Sequence, residues 1–420
     1  MHHWMAMIRQ ALLTYRKVIG VGIIAFVSDL GYSTLSQSAI PPYVELLGLA
    51  KYIGTIYAVF VIAETLLKTP MGSLEDRVGL RAVYVAAAVI GATAALIWTR
   101  MTALWMIIIV RVIDGAGSAS IWTATILAMS EVLESRSRTT AMSIYLATYL
   151  GGLSLGPLVG GYANDVTHSR LTAFYVAGSL FILTAILAAH LLPGAHHRVR
   201  ERNEPPSPQH RSFFEQMRQG FLIAPAYMVI AFIIFAAFGL IIPIIKLFAM
   251  LQLGMSETTY GLVVLPVVSV LTLISLGSGT LAAFWGKTRS ITVGLAISAL
   301  AMYSVPLVHH YLGFALVAGA VGLGFVIGMP AWLALVIDMT PVDMRGTVIG
   351  ALGTWQGIGV ILGAAASSFL FKLVPIHLLG IHLPATYTPF VISAVLLTIG
   401  FFVVLAYVRE GNRGELSGSR

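Results

Sequence analysis

Long apolar runs separated by short polar or glycine-bearing segments fill almost the whole chain. Twelve such runs can be marked, at residues 18–40, 52–70, 82–99, 103–128, 140–163, 171–191, 221–249, 259–278, 290–308, 312–337, 347–371 and 387–408. A bilayer core about 30 Å thick is crossed by roughly 20 apolar residues, so each run is long enough to span it. Lipid offers no water to backbone N–H and C=O groups, which makes these runs helices. One interruption differs from the rest. Residues 192–220 include Arg198-Val-Arg-Glu-Arg-Asn-Glu-Pro-Pro-Ser-Pro208 and read as a polar, proline-rich linker. The expected organisation is a six-helix bundle over 1–191, a cytoplasmic linker over 192–220, and a second six-helix bundle over 221–420 that ends in a short tail.

Composition agrees with that pattern. The chain has 420 residues, of which 58% are hydrophobic and 10% charged; soluble domains carry about a quarter charged residues. A net charge of +8 would suit nucleic acid, but its distribution argues otherwise. With the N-terminus inside, 18 of the 25 Lys and Arg fall in inner segments, and only Lys51, Arg100, Arg170 and Lys372 fall in outer loops. This positive-inside bias predicts a multi-pass cell-membrane protein with both termini cytoplasmic and no nucleic-acid partner. Met1–Lys17 lacks a small-residue cleavage site and is expected to be a cytoplasmic tail. Cysteine is absent, so disulfides and thiolate metal ligands are excluded. His309, His310, His377 and His382 fall in outer loops without ligand spacing, and no metal site is expected. Neither a phosphate-cradling Gly-x-x-x-x-Gly-Lys-Ser/Thr loop nor a nucleophile–base set is visible, so neither ATP-driven transport nor an enzyme is expected.

The runs repeat. Gly72-Ser-Leu-Glu-Asp-Arg-Val-Gly-Leu-Arg81 recurs 207 residues later as Gly279-Thr-Leu-Ala-Ala-Phe-Trp-Gly-Lys-Thr288, with Asp76 and Arg77 replaced by Ala283 and Phe284. The same offset carries Gly115 and Gly117 to Gly322 and Gly324, Glu131 to Asp338, Arg138 to Arg345, and Gly152 and Gly156 to Gly359 and Gly363. Parallel repeats about an axis along the membrane normal are a transporter plan, with substrate bound near the midplane.

Three of these segments carry a family resemblance. Gly72-x-Leu-x-Asp-Arg-x-Gly-x-Arg81 is similar to the signature loop of the major facilitator superfamily. Arg111-Val-Ile-Asp-Gly-Ala-Gly117 resembles its fourth-helix motif, with Asp114 in place of the usual Gln. Gly152-x-x-x-Gly156-Pro157-x-x-Gly160-Gly161 resembles the fifth-helix motif associated with antiporters. The resemblance covers nearly the whole chain and is strongest to twelve-helix drug/proton antiporters. It implies an all-α membrane fold of two six-helix bundles related by a pseudo-twofold axis. It also implies alternating access, no cofactor beyond a proton gradient, a small-molecule or lipid substrate, and a monomer in the bilayer.

The residues suggest roles. Gly72 would allow close helix approach. Asp76 could sit on the positive end of another helix, which the resemblance implies is the eleventh, and Arg77 and Arg81, on either side of Gly79, could pair with Glu131 in an inner latch. The second copy lacks the acid, so a one-sided latch is expected. Gly152, Gly156 and Gly160 form a groove on one face, and Pro157 bends the helix; Gly161 completes the motif. Inside the membrane each charge costs about 2.5–3.5 kcal/mol on insertion scales and needs a reason. Asp29, Arg111 and Asp114 are expected to form one cluster, where burial favours the neutral acid and Arg111 the charged one. Glu64, one turn from Lys68, is a second proton candidate. Lys246 is expected to snorkel to the interface. Tyr32, Trp122, Pro330, Trp332 and Gln356 are candidate walls of an apolar, aromatic cavity.

These features favour proton-coupled efflux of a small lipophilic or amphipathic compound. The alternatives are a lipid or glycolipid flippase, which the Pro330–Trp332 and Gln356–Gly359 segments also resemble, and proton-coupled nutrient uptake. A membrane sensor is the alternative from another class, but the longest polar stretch, about 29 residues, is short for a soluble sensing domain.

Overall fold

Glycine and proline mark several of the places where the apolar runs bend or stop. The computed structural model describes residues 19–132, 138–192, 221–222, 225–340, 345–373, 375–378 and 381–408; most of the expected linker, 193–220, lies outside them. Helix α1 covers Ile19–Leu46 and contains a π-helical segment at Thr34–Ala39. It is followed by α2 (Ile53–Val78), α3 (Leu80–Trp98), α4 (Leu104–Val132), α5 (Arg138–Thr167) and α6 (Thr172–Leu191). Helix α7 comes in two pieces, Pro225–Ile241 and Ile245–Leu253, bent by 43° around Pro243. Then come α8 (Glu257–Trp285), α9 (Lys287–Ser304), α10 (Tyr311–Met339), α11 (Arg345–Leu373) and α12 (Thr388–Tyr407).

Among the described residues ten helices are long and apolar enough to cross a membrane, or eleven when bent α7 counts as one. Helix α5, 30 residues long and rich in Gly, Ser and Thr, stands where the fifth span is expected. One element departs from the all-helical expectation. A small antiparallel hairpin, β1 (Ile376–Leu378) and β2 (Ile381–Leu383), lies between α11 and α12 and pairs His377 with His382.

The segment expected as a charged loop, 72–81, is mostly helix. Helix α2 continues to Val78, and Gly79 alone makes the turn, with φ 90° and ψ 148°. At the matching place Gly286 has φ 92° and ψ 145°. Only glycine adopts this backbone without strain. The offset of 207 holds for element ends as well: Val78 and Trp285, Leu80 and Lys287, Leu104 and Tyr311, Val132 and Met339, Arg138 and Arg345. Other ends differ from it by one to three residues, and after α11 Thr388 follows Thr172 by 216, the extra length holding the hairpin.

The chain divides into two compact units, Met1–Glu204 with Pro243–Ser269, and Pro205–Ile242 with Val270–Arg420. In the first, Val21 and Ile24 of α1, Tyr84, Ala87 and Ala88 of α3, Ile121, Ala124 and Ala128 of α4, and Ala188 of α6 form a buried cluster. Its many alanines let the helices approach closely, as membrane packing favours. Tyr84 adds polar ties, with its hydroxyl 2.9 Å from Thr125 Oγ1 and 3.2 Å from Ser28 Oγ. In both units the repeated glycine serves the same contact. A Cβ at Gly152 would lie 2.7 Å from Leu30 N on α1, and one at Gly359 would lie 2.6 Å from Phe232 O on α7.

Candidate functional site

The polar interior of the first unit begins with a pair one turn apart on α4. Arg111 and Asp114 are buried, with Nη1 3.2 Å from Oδ2. The same carboxylate oxygen accepts from Trp98 Nε1 at 2.9 Å, while Oδ1 is buried without a hydrogen-bond partner among the described residues. Arg111 also donates to Ile56 O at 3.4 Å and Ser36 Oγ at 3.5 Å, and its guanidinium lies 4.3 Å from the Phe60 ring centroid. The carboxylate is therefore held at one oxygen and left open at the other, in surroundings that supply no bulk water.

Asp29 does not join this pair, contrary to the single cluster expected. The α1 residue that reaches Arg111 is Ser36, seven residues further on, or about 10 Å along a helix. Asp29 instead sits half-buried against α5, where a Cβ at Gly152 would approach its Cβ to 2.8 Å. Tyr32 packs edge-on against Phe181 at 4.7 Å, and its hydroxyl is buried without a hydrogen-bond partner among the described residues. Glu64 and Lys68 pair at 2.9 Å, and the ammonium also lies 4.3 Å from the Trp122 ring centroid. Trp122 thus covers a cation.

The signature segment is only partly as expected. A Cβ on Gly72 would meet nothing within 4 Å, so close helix approach at Gly72 is not found. Arg77 and Arg81 are exposed, and the side chains of Asp76 and Glu131 lie outside the described residues. Within the same segment Glu75 is buried and accepts from Thr123 Oγ1 of α4 at 2.6 Å. The second unit has an ion pair at its own corner, Lys287 with Asp338, which stand 207 residues after Leu80 and Glu131, although its turn lacks the acid. The charge has moved from the turn onto the first residue of α9.

The α5 motif makes two contacts. Gly156 and Gly160 face Ser33 and Ser38 of α1, and Ser33 Oγ donates to Leu153 O at 2.9 Å. On another side, a Cβ at Gly161 would lie 2.6 Å from Glu257 C, and one at Gly261 2.9 Å from Pro157 C, so the first turn of α8 lies on the α5 backbone. Lys246 is buried beneath that turn and does not snorkel as expected. Its Nζ lies 2.6 Å from Glu257 Oε2 and 2.8 Å from Ser38 O, and Arg170 binds the other Glu257 oxygen. Sequence reasoning missed this group because its members are spread over four helices and a loop.

In the second unit Trp332 packs 5.4 Å from Tyr227 and, with Phe235, Phe238, Phe325, Met329 and Ser298, lines a narrow cavity of about 40 Å³. Pro330 lies within α10 and Gln356 is half-buried in α11; neither lines that cavity. Among the described residues no three His, Asp or Glu side chains are grouped to hold a metal.

A helical membrane bundle built as a repeat, with ionisable pairs inside apolar helices, has the plan of a secondary transporter. The chain belongs to the Major Facilitator Superfamily, whose model matches residues 21–364 and 227–420, and it is a transporter, not an enzyme. It is 24% identical over 379 residues to multidrug resistance protein 2 of Bacillus subtilis (strain 168), covering 87% of this chain and 90% of that protein. It is 22% identical over 367 residues to the class H tetracycline resistance protein of Pasteurella multocida, covering 86% and 88%. Its fold is similar to the crystal structure of the nucleoside transporter NupG, with a TM-score of 0.77 at 13% identity, covering 93% of this chain and 98% of that one.

Proposed function

We propose that this protein is a proton-coupled exporter of small lipophilic or amphipathic compounds. It would sit in the cell membrane with both termini cytoplasmic and work by alternating access as a monomer. The observation that carries the reading is the Arg111–Asp114 pair, buried within a span and with Oδ1 of Asp114 left open. A charge in lipid is costly unless it does work, and a carboxylate balanced between an arginine and an apolar wall suits proton binding and release. Asp29 and Glu64 are secondary acids for the same task. The drug-resistance relatives support export, and the aromatic cavity of the second unit supports lipophilic cargo.

The test is transport into inside-out vesicles with a panel of dyes, drugs and fluorescent lipids, with and without a pH gradient. Gradient-driven dye accumulation should fall by about tenfold or more in Asp114→Asn, while gradient-independent exchange persists. Undiminished pH-driven accumulation in Asp29→Asn, Glu64→Gln and Asp114→Asn would overturn the proton assignment. Lipid movement that ignores the gradient would replace efflux with a flippase.

A further inference from the structure

The buried group around Glu257 has no part in the coupling just described. Both Glu257 oxygens are engaged: Oε2 by Lys246, Oε1 by Arg170, and each by Asn164 Nδ2 at 3.2 Å. Lys246 and Glu257 are buried, while Arg170 is 40% exposed and so brings water to one edge of the group. Asp165, which accepts from Thr258 N at 2.8 Å, adds a second acid beside it. With Lys246, Arg170, Glu257 and Asp165 together, the group is close to neutral.

Its anchor on α1 has a covalent cause. In a regular helix the Ser38 carbonyl would accept from the N–H of residue 42, but Pro42 has none. The chain there is π-helical, and the Lys246 ammonium supplies a donor, at 2.8 Å to Ser38 O and 3.2 Å to Ser38 Oγ. The second piece of α7 and the first turn of α8 are thus tied to α1 and to the α5–α6 turn by charge, beside the buried Leu247, Phe248 and Met255 of the same segments. Beside the tie, an open cavity of about 480 Å³ is lined by Pro42, Glu45, Arg170, Leu247 and Met255.

We propose that Lys246, Glu257, Arg170 and Asn164 form a gate clasp that closes the outer end of the first unit and parts once in each transport cycle. Buried ion pairs are poor static glue, because desolvation offsets much of their attraction, whereas well-packed apolar groups hold as well or better. They do suit a contact that must be all or nothing. A glycine seam at Gly161 and Gly261 lets α8 lie flush on α5 when the clasp is shut, and Arg170 gives water a way in when it opens. The proposal rests on the alternating-access reading and on its orientation, which puts Arg170 outside and the Gly79 and Gly286 turns inside.

The test is hydrogen–deuterium exchange of the full-length protein in lipid nanodiscs, comparing wild type with Glu257→Gln and with the milder rim variant Arg170→Gln. Thr34–Leu46 and Ile245–Tyr260 should exchange about tenfold faster, while Lys68–Arg81 exchanges about threefold slower as the inner end closes. The opposite changes at the two ends are the sign of a gate. Faster exchange at both ends, faster exchange confined to the outer end, or no change would overturn the proposal. Should Glu257→Gln unfold, Arg170→Gln decides by the same criteria. The measurement uses neither substrate nor pH gradient, so its failure would leave the efflux assignment standing, and failure of the vesicle assay would not touch the clasp.

Discussion

Gly72 and Gly79 belong to one motif and do different work. Gly79 turns the chain at φ 90°, a conformation that costs a side-chain-bearing residue about 1–3 kcal/mol. Gly72 is within a helix and faces open space. Thermal unfolding in detergent should therefore show Gly79→Ala, and likewise Gly286→Ala, destabilised by about 1–3 kcal/mol. Gly72→Ala should be neutral or stabilised by up to about 1 kcal/mol. Equal losses at all three positions would refute the distinction. The sequence marks both glycines and cannot separate them, since apolar surroundings hide the helical period that would show α2 running on to Val78. Lys246 was hidden differently: Pro42, which deprives Ser38 O of its helical donor, is visible in the chain, but that Lys246 fills the gap depends on how α7 bends.

Helix against helix, the contacts are set by missing side chains. Gly156 leaves room for Ser33, and even a Cβ there would force α5 away from α1. Replacing it with a large residue should cost more than the roughly 1–3 kcal/mol of ordinary overpacking, because backbone faces backbone. Gly156→Leu is expected to lose the monodisperse peak in size-exclusion chromatography; a normal profile with normal transport would show that α5 does not need this approach. The glycine spacing made this seam legible beforehand. The break in α7 was less so: Pro243 was visible, but apolar residues on both sides gave no boundary, and one run from 221 to 249 was the natural reading.

The whole molecule is one plan built twice, and the offset of 207 survives in element ends, turn dihedrals and glycine contacts even where the residues have changed. That plan, a repeated all-helical membrane bundle, could be read in advance because lipid allows so few alternatives. The polar interior could not, because it depends on which residues of distant helices meet. Lys287 and Asp338 show the difference: the second copy lacks the acid of its turn yet has an ion pair there. Both side chains are partly exposed, so Lys287→Met should change stability by no more than about 1 kcal/mol. A larger shift in the unfolding temperature would mean that the pair bears structural weight. Phe284, which is 87% exposed where the first copy has Arg77, should accept arginine within about 0.5 kcal/mol, measured the same way.

The turns at Gly79 and Gly286 each join two membrane helices through a single residue, which leaves the joint no slack. The facing ends of α2 and α3, and of α8 and α9, can separate by no more than that one residue allows. We expect each pair to act as a bent lever with its fulcrum at one Cα, passing displacement at one end to the other. Lengthening the joint with a Gly-Ser-Gly insert after Gly79 should leave a folded protein whose transport rate collapses, because the force applied at one arm would be spent in the joint.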